Sequence, residues 1–81
     1  MKDCREIEMM LRGSNLFADV YEEMGMVAVE INWGDWKHEH LRAKWLMSEN
    51  GFKHLFTKVT EEDGSDTYSA IHYFGEAANW A

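Results

Sequence analysis

The chain has 81 residues, of which 46% are hydrophobic, and 15 acidic against 8 basic residues give it a formal net charge of −7. This length predicts one small domain with a modest core, and the four Trp, four Phe and three Tyr exclude a disordered chain. The acidic balance argues against direct binding to nucleic acid or to an anionic membrane and favours a protein partner with a basic surface.

Cysteine content and hydropathy give information on the cellular compartment of the protein. Cys4 is the single cysteine, which excludes an internal disulfide and fits a reducing environment. The N-terminal residues form no apolar signal segment, and the sequence has no run of about 18 apolar residues that would span a membrane. We therefore expect a cytoplasmic protein that is neither exported nor inserted in a membrane.

The first predicted element is a short helix over residues 3–12. Asp3 stands where a capping side chain would accept from the free amides of the first turn, and Ile7 and Leu11 recur at helical spacing. A helix of this length is not stable alone, so it must dock on the rest of the chain.

A β-hairpin is predicted over residues 16–33. Residues 16–23 fit either a helix or a strand, and we prefer a strand because residues 22–25 resemble a hairpin connection. The second strand, residues 26–33, alternates clearly between apolar and other side chains. One face carries Val27, Val29, Ile31 and Trp33, and the other carries Ala28, Glu30 and Asn32.

The central helix is predicted over residues 35–50, between a cap at Asp35 and a left-handed stop at Asn50-Gly51. Its apolar side chains fall in two arcs. The arc expected to face the sheet contains Trp36, His40, Ala43, Leu46 and Met47. The opposite arc contains Leu41 and Trp45, which we expect to pack on the first helix.

A second hairpin is predicted over residues 52–74, followed by a frayed tail over residues 75–81. Both of its faces carry aromatic side chains, so the sequence leaves open which face is buried. One face would carry Leu55, Thr57, Val59, Tyr68, Ala70, His72 and Phe74. The other would carry Phe52, His54, Phe56, Ile71 and Tyr73.

The element order is therefore α-β-β-α-β-β over a single domain, residues 1–81. It predicts a small α+β fold, with a four-stranded, mostly antiparallel sheet and two helices packed on one face. The second and third strands would run parallel if they share the sheet. The two acidic hairpin tips would then lie at opposite ends of the sheet.

Motifs for catalysis or metal binding are weak. His38 and His40 are two residues apart, whereas a two-histidine site on a helix needs a spacing of four. A metal site stays open only if His40, His54 and His72 converge in the core. Cys4 at a helix N-terminus would favour a thiolate, but it also heads an apolar stripe, which favours packing. We expect no enzyme activity, no metal site and no cofactor.

A small acidic protein-binding module is the leading interpretation, with two candidate surfaces. The acidic surface consists of the two hairpin tips, Glu22, Glu23, Glu61, Glu62, Asp63 and Asp66. The aromatic surface consists of Phe52, Phe56, Ile71, Tyr73 and Trp45. Aromatic side chains are enriched at interface centres, and acidic ones would steer a basic partner.

In style the chain resembles phage-encoded antagonists of host nucleic-acid-binding proteins, including anti-CRISPR proteins, which are compact, acidic and free of catalytic motifs. This likeness rests on no shared motif, and it implies an inhibitor of a basic nucleic-acid-binding partner. The first alternative is a homo-oligomeric structural subunit whose uncovered sheet face pairs with a second copy. The second is a small metal-binding or enzymatic domain that uses His, Asp or Glu.

Overall fold

The computed structural model describes residues 3–32, 36–61 and 68–78. In these ranges the elements are α1 (Cys4–Gly13), β1 (Asp19–Glu23), β2 (Met26–Asn32), α2 (Trp36–Glu49), β3 (Phe52–Glu61) and β4 (Tyr68–Glu76). The strands form one sheet in the order β1-β2-β4-β3, in which all neighbours are antiparallel. The predicted α+β class and element order are therefore confirmed.

Helix α1 begins at the predicted cap. The Asp3 carboxylate accepts a hydrogen bond of 2.9 Å from the backbone N–H of Glu6, which satisfies one of the free amides of the first turn. After the helix, Asn15 adopts a left-handed φ of 62°, and the Leu16 N–H donates to the Leu11 carbonyl at 3.0 Å. This turn directs the Leu16 side chain into the core.

The first hairpin turns at the predicted place. Met24 and Gly25 both have left-handed φ angles, 53° and 75°, as a two-residue turn between twisted antiparallel strands requires. Strand β1 begins at Asp19, later than the predicted start at residue 16, because Leu16 packs in the core ahead of the strand. The alternation of β2 is confirmed where it is described, with Val27, Val29 and Ile31 in the core.

Helix α2 turns its predicted arc toward the sheet. His40, Ala43 and Met47 are buried and Leu46 is half-buried, whereas the Asp35 cap and the Trp36 side chain lie outside what the structure describes. Gly51, with a φ of 85°, follows the helix end as the left-handed stop that the sequence predicted.

The predicted packing of the second arc of α2 on α1 is wrong. Leu41 and Trp45 are 65% and 63% exposed. Helix α1 packs mainly against β1, and α2 packs against β3 and β2, so each helix covers its own part of the sheet. Ile7 and Leu11 of α1 point into the shared core. They therefore do not cover the second arc of α2. The helices meet elsewhere, where the Arg42 guanidinium donates to a backbone carbonyl after α1.

The core lies between the two helices and one face of the sheet, as predicted. Its buried members are Ile7, Leu11, Leu16, Val27, Val29, Ile31, Ala43, Met47, Phe52 and Phe74. Removal of this apolar surface from water is the main favourable term in the stability of so small a domain.

A bulge in β3 overturns the predicted faces of the second hairpin. His54 lies opposite Phe74 and Phe56 lies opposite Tyr73, so Leu55 is an extra residue that reverses the alternation of β3. The prediction that Phe52, His54 and Phe56 share one face of β3 is therefore wrong. The helix-side face of β3 carries Phe52, His54, Thr57 and Val59, and the opposite face carries Leu55 and Phe56.

Strand β4 lies between β2 and β3, which consequently run in the same direction, as expected. It continues to Glu76, beyond the predicted hairpin end at residue 74, and the Ala77 N–H donates to the Gly51 carbonyl at 2.9 Å. The prediction of a frayed tail is therefore wrong for residues 75–77, and residues 79–81 lie outside those that the structure describes. Neither helix of the described ranges has the length and hydropathy of a membrane span.

Candidate functional site

The sheet face turned away from the helices, which we call the outer face, is the first candidate site. Strand register arranges its side chains in rows that cross the sheet. The aromatic row contains Tyr21, Ala28, Tyr73 and Phe56. One flanking row contains Asp19, Glu30, Ile71 and Lys58, and the other contains Glu23, Met26 and Lys53.

The aromatic row is a second, smaller hydrophobic cluster. The rings of Phe56 and Tyr73 are stacked, with centroids 4.4 Å apart and an interplanar angle of 17°. Tyr73 and Ala28 are buried, and half-buried Tyr21, Leu55 and Ile71 pack around them. Phe56 keeps 43% of its surface exposed. The outer face therefore offers an apolar contact area on the side of the sheet opposite to both helices.

Three carboxylates border this cluster on β1 and β2, and we call Asp19, Glu23 and Glu30 the acidic border. Burial, and then the charges of Glu30, Glu23 and Asp19, raise the pKa of the Tyr21 phenol. The Tyr73 hydroxyl donates to Glu23 Oε2 at 2.9 Å. This hydrogen bond, followed by desolvation and nearby negative charge, raises the pKa of Tyr73 to about 12. The border thus imposes a negative potential on the aromatic row.

The opposite edge of the outer face is positively charged. Lys53 and Lys58, the basic border, lie on β3 and are exposed. Three strand spacings separate β1 from β3 and two separate β2 from β3, so the carboxylates of the acidic border lie about 10–14 Å from the basic border. The outer face is therefore polarised, with carboxylates along one edge, lysines along the other and aromatic rings between them.

The predicted acidic surface is only partly described. Glu22 and Glu23 are exposed beside the first hairpin turn, but they lie on opposite faces of β1, and only Glu23 belongs to the outer face. Glu61 ends β3 at the other end of the sheet, in agreement with the expected separation of the tips. Glu62, Asp63 and Asp66 lie outside the described residues.

Asp19 and Glu30 are site residues that the sequence reasoning missed, although a signal for both was present. The alternation of β2 already put Glu30 on the face opposite to Val29. A two-residue turn at Met24-Gly25 then makes Asp19 its cross-strand partner. The pairing of Asp19 with Glu30 on one face was therefore predictable from the hairpin pattern alone.

The predicted aromatic surface is split by the structure. Phe56, Ile71 and Tyr73 meet on the outer face, as expected of one surface. Phe52 does not belong to it, because the bulge leaves this ring in the core between the sheet and the helices. Trp45 is exposed, but it lies on α2, on the other side of the sheet.

A cluster of three histidines is the second candidate site. His40 Nδ1 contacts His72 Nε2, and the other ring nitrogen of His72, Nδ1, lies 2.7 Å from Thr57 Oγ1. The same hydroxyl lies 2.7 Å from His54 Nε2. These four side chains, which we call the histidine chain, link α2, β4 and β3. The convergence of His40, His54 and His72 that the sequence left open is thus observed.

The surroundings of the histidine chain favour neutral rings. Burial lowers the pKa of His72, which is 2% exposed, to about 3, and the charges of His40, Lys44 and His54 add to the effect. Burial and then Lys44 also lower the pKa of His40. For His54 the same two causes outweigh a backbone hydrogen bond with Phe56, which acts in the opposite direction. At neutral pH all three rings are therefore uncharged.

The histidine chain does not have the geometry of a metal site. Within the described ranges, no group of three or more His, Cys, Asp or Glu side chains could hold a metal ion. His72 directs its two ring nitrogens toward different partners, His40 and Thr57, whereas metal ligands must point at one centre. The Cys4 thiol is not activated either, because burial and then the charges of Glu22 and Asp3 raise its pKa.

Comparisons of the chain with protein-family models, with curated proteins and with solved structures found no match.

Proposed function

We propose that the protein is a small protein-binding module whose outer face binds a basic segment of another protein. The observation that carries this proposal is the acidic border, Asp19, Glu23 and Glu30, beside an aromatic row on the face opposite to both helices. A net charge of −7 attracts a basic partner from a distance, and the apolar row supplies contact area after the encounter.

The chemistry of the outer face specifies the kind of segment that would fit. An apolar side chain of the partner would lie on the exposed part of the Phe56 ring, which stacks on the Tyr73 ring. Arginine suits the acidic border, because a guanidinium can bind a carboxylate with two hydrogen bonds and can stack on an aromatic ring. We therefore favour a segment in which arginines flank a large apolar residue.

An inhibitor of a nucleic-acid-binding protein is the specific form of this proposal. Surfaces that bind nucleic acid are rich in Arg and Lys, so an acidic module that covers one would compete with the nucleic acid. The likeness in style to phage-encoded antagonists, such as anti-CRISPR proteins, supports the same form. Cys4 is a free thiol, which supports a reducing, cytoplasmic location.

Chemical-shift mapping tests the proposal. The isotope-labelled protein is titrated with a synthetic peptide of four arginines around one tryptophan, and with a control peptide in which glutamates replace the arginines. We expect saturable shifts at β1, β2 and Phe56 with the basic peptide only, and weaker binding at high salt. Shifts confined to the helices, or no saturation, would contradict the proposal.

A second candidate function, self-pairing as a homo-oligomeric subunit, is supported by the basic border. A two-fold axis parallel to the strands would lay β1 of one copy over β3 of the other, so that Asp19 faces Lys58 and Glu23 faces Lys53. The two aromatic rows would then meet at the centre of the interface. Sedimentation of the protein alone distinguishes this candidate from a binding module that is monomeric until it meets its partner.

A further inference from the structure

Helix α2 is attached to the sheet partly by a buried polar contact. His40 on α2 is 8% exposed and His72 on β4 is 2% exposed, and their rings meet edge to face with centroids 4.4 Å apart. Thr57 and His54 extend the contact to β3. The hydrogen-bonding state of these rings therefore affects how firmly α2 is held.

The proton positions in the neutral histidine chain can be assigned in sequence, starting from His54. We assign the tautomers from His54, whose backbone hydrogen bond with Phe56 raises its pKa: Nδ1–H is taken as the donor to the backbone, which makes Nε2 the acceptor. The Thr57 hydroxyl then donates to His54 Nε2 and accepts from His72 Nδ1–H. The remaining nitrogen of His72, Nε2, therefore accepts from His40 Nδ1–H.

A proton added to His72 would disrupt this order, because Nε2–H would face the Nδ1–H of His40 unless the His40 ring shifted its proton to Nε2. The other groups that face the ring also oppose a positive charge. They are Lys44 on α2 and His54 on β3, while β2 contributes apolar Val29 at the paired position. A protonated His72 is thus much less favourable with α2 docked than with α2 released.

We propose that the contact between His40 and His72 is an acid-sensitive latch, which holds α2 on the sheet at neutral pH and releases it on acidification. Release would bring water to Ala43 and Met47, which are buried apolar side chains of α2. The latch is independent of the outer face, because the histidine chain lies on the opposite side of the sheet.

The direction and size of the effect follow from proton linkage. His72 binds a proton with a pKa near 6.5 when α2 is released and about 3 when it is docked. The docked state is therefore fully favoured above pH 6.5 and weakens as pH falls toward 3. For His72 alone, the equilibrium constant for release should rise roughly 100-fold between about pH 7.5 and about pH 4.5.

Native-state hydrogen exchange on the whole chain tests the latch, with rates corrected for the intrinsic effect of pH. We expect the protection factors of buried α2 amides to fall by about 100-fold over this pH range, and by more than those of β2. Constant protection in α2 would overturn the proposal. An equal fall in α2 and β2 would also overturn it, because that result describes global unfolding.

Variants assign the effect to the latch. His72→Gln keeps a polar side chain that does not titrate, so it should flatten the pH dependence of α2 protection at least tenfold. His40→Gln leaves His72 able to titrate and removes only one opposing partner, so it should reduce the pH dependence by less. Glu49→Gln, which removes an exposed titratable side chain of the same helix, should leave it unchanged. If the variants do not fold, titration of the histidine rings of the native protein, followed by NMR, tests the latch instead. His72 should stay neutral until α2 amides exchange, and titration near pH 6.5 with α2 protected would overturn the latch.

Discussion

The Tyr73 hydroxyl on β4 donates a hydrogen bond of 2.9 Å to Glu23 on β1, across the intervening strand β2. This bond connects the two components of the outer face, the aromatic row and the acidic border. It also fixes one carboxylate next to the Phe56 and Tyr73 stack. A binding partner would thus meet a preorganised edge, which reduces the entropy lost on association.

Alkaline titration tests this hydrogen bond. Tyr73 should ionise near its raised pKa of about 12. Because this pKa lies above the ordinary value of 10, the stabilisation is present below pH 10 and is lost as pH rises through 12. Ultraviolet absorbance should show Tyr73 ionising at lower pH in Glu23→Gln, with Tyr73→Phe identifying its signal. Identical titration curves for the native protein and Glu23→Gln would contradict the assignment.

The exposed arc of α2 predicts a contrast between two neighbouring residues. Trp45→Ala should cost less than about 1 kcal/mol of unfolding free energy, because the ring is mostly in water. Met47→Ala, at a fully buried position, should cost about 2–5 kcal/mol through the cavity it leaves. Urea denaturation measures both. Equal costs for the two variants would mean that Trp45 is packed after all.

The turn of the first hairpin predicts that two substitutions change the free energy of unfolding in opposite directions. Gly25→Ala should destabilise by about 1–2 kcal/mol, since the left-handed φ of 75° is unfavourable for a residue with a Cβ. Met24→Asn should stabilise by about 0.5–1 kcal/mol, because Asn tolerates the left-handed region better than Met. Thermal unfolding of the two variants checks both signs, and a destabilised Met24→Asn would count against the turn.

Self-pairing through the two borders predicts a specific charge dependence. If the protein dimerises, Lys58→Glu should weaken the dimer, because it would set an acid against the Asp19 of the second copy. Combining it with Asp19→Lys should restore association. Sedimentation equilibrium at micromolar concentration measures this. A native protein that remains monomeric removes the self-pairing candidate.

Features set by local chemistry were predictable from the sequence. The Asp3 cap, the turn at Met24-Gly25 and the stop at Gly51 each depend on one or two residues with special backbone or hydrogen-bonding properties. The alternation of β2 depends only on the two-residue period of a strand. The order of elements followed from these signals, and the fold class followed from the order.

Features that depend on packing between elements were not predictable in the same way. The bulge at Leu55 changes the faces of β3, yet no residue type there demands it, and it moved Phe52 from the predicted binding surface into the core. Helical spacing showed that Trp45 lies on a second arc, but only the positions of both helices decide what covers that arc. The ring contacts of the histidine chain likewise require the docked helix.

Two variants with equal net charge distinguish specific binding at the acidic border from non-specific attraction to an acidic protein. The outer-face variant carries Asp19→Asn, Glu23→Gln and Glu30→Gln. The helix variant carries Glu6→Gln, Glu8→Gln and Glu49→Gln. Each removes three of the charges behind the net −7, so non-specific attraction falls equally in both.

The affinity of these two variants for the arginine–tryptophan peptide, measured by fluorescence anisotropy, tests the central proposal most directly. We predict that the outer-face variant binds about tenfold more weakly than the native protein, while the helix variant stays within about twofold. Equal weakening of the two variants would show that the peptide responds to net charge alone, and would contradict a binding site on the outer face.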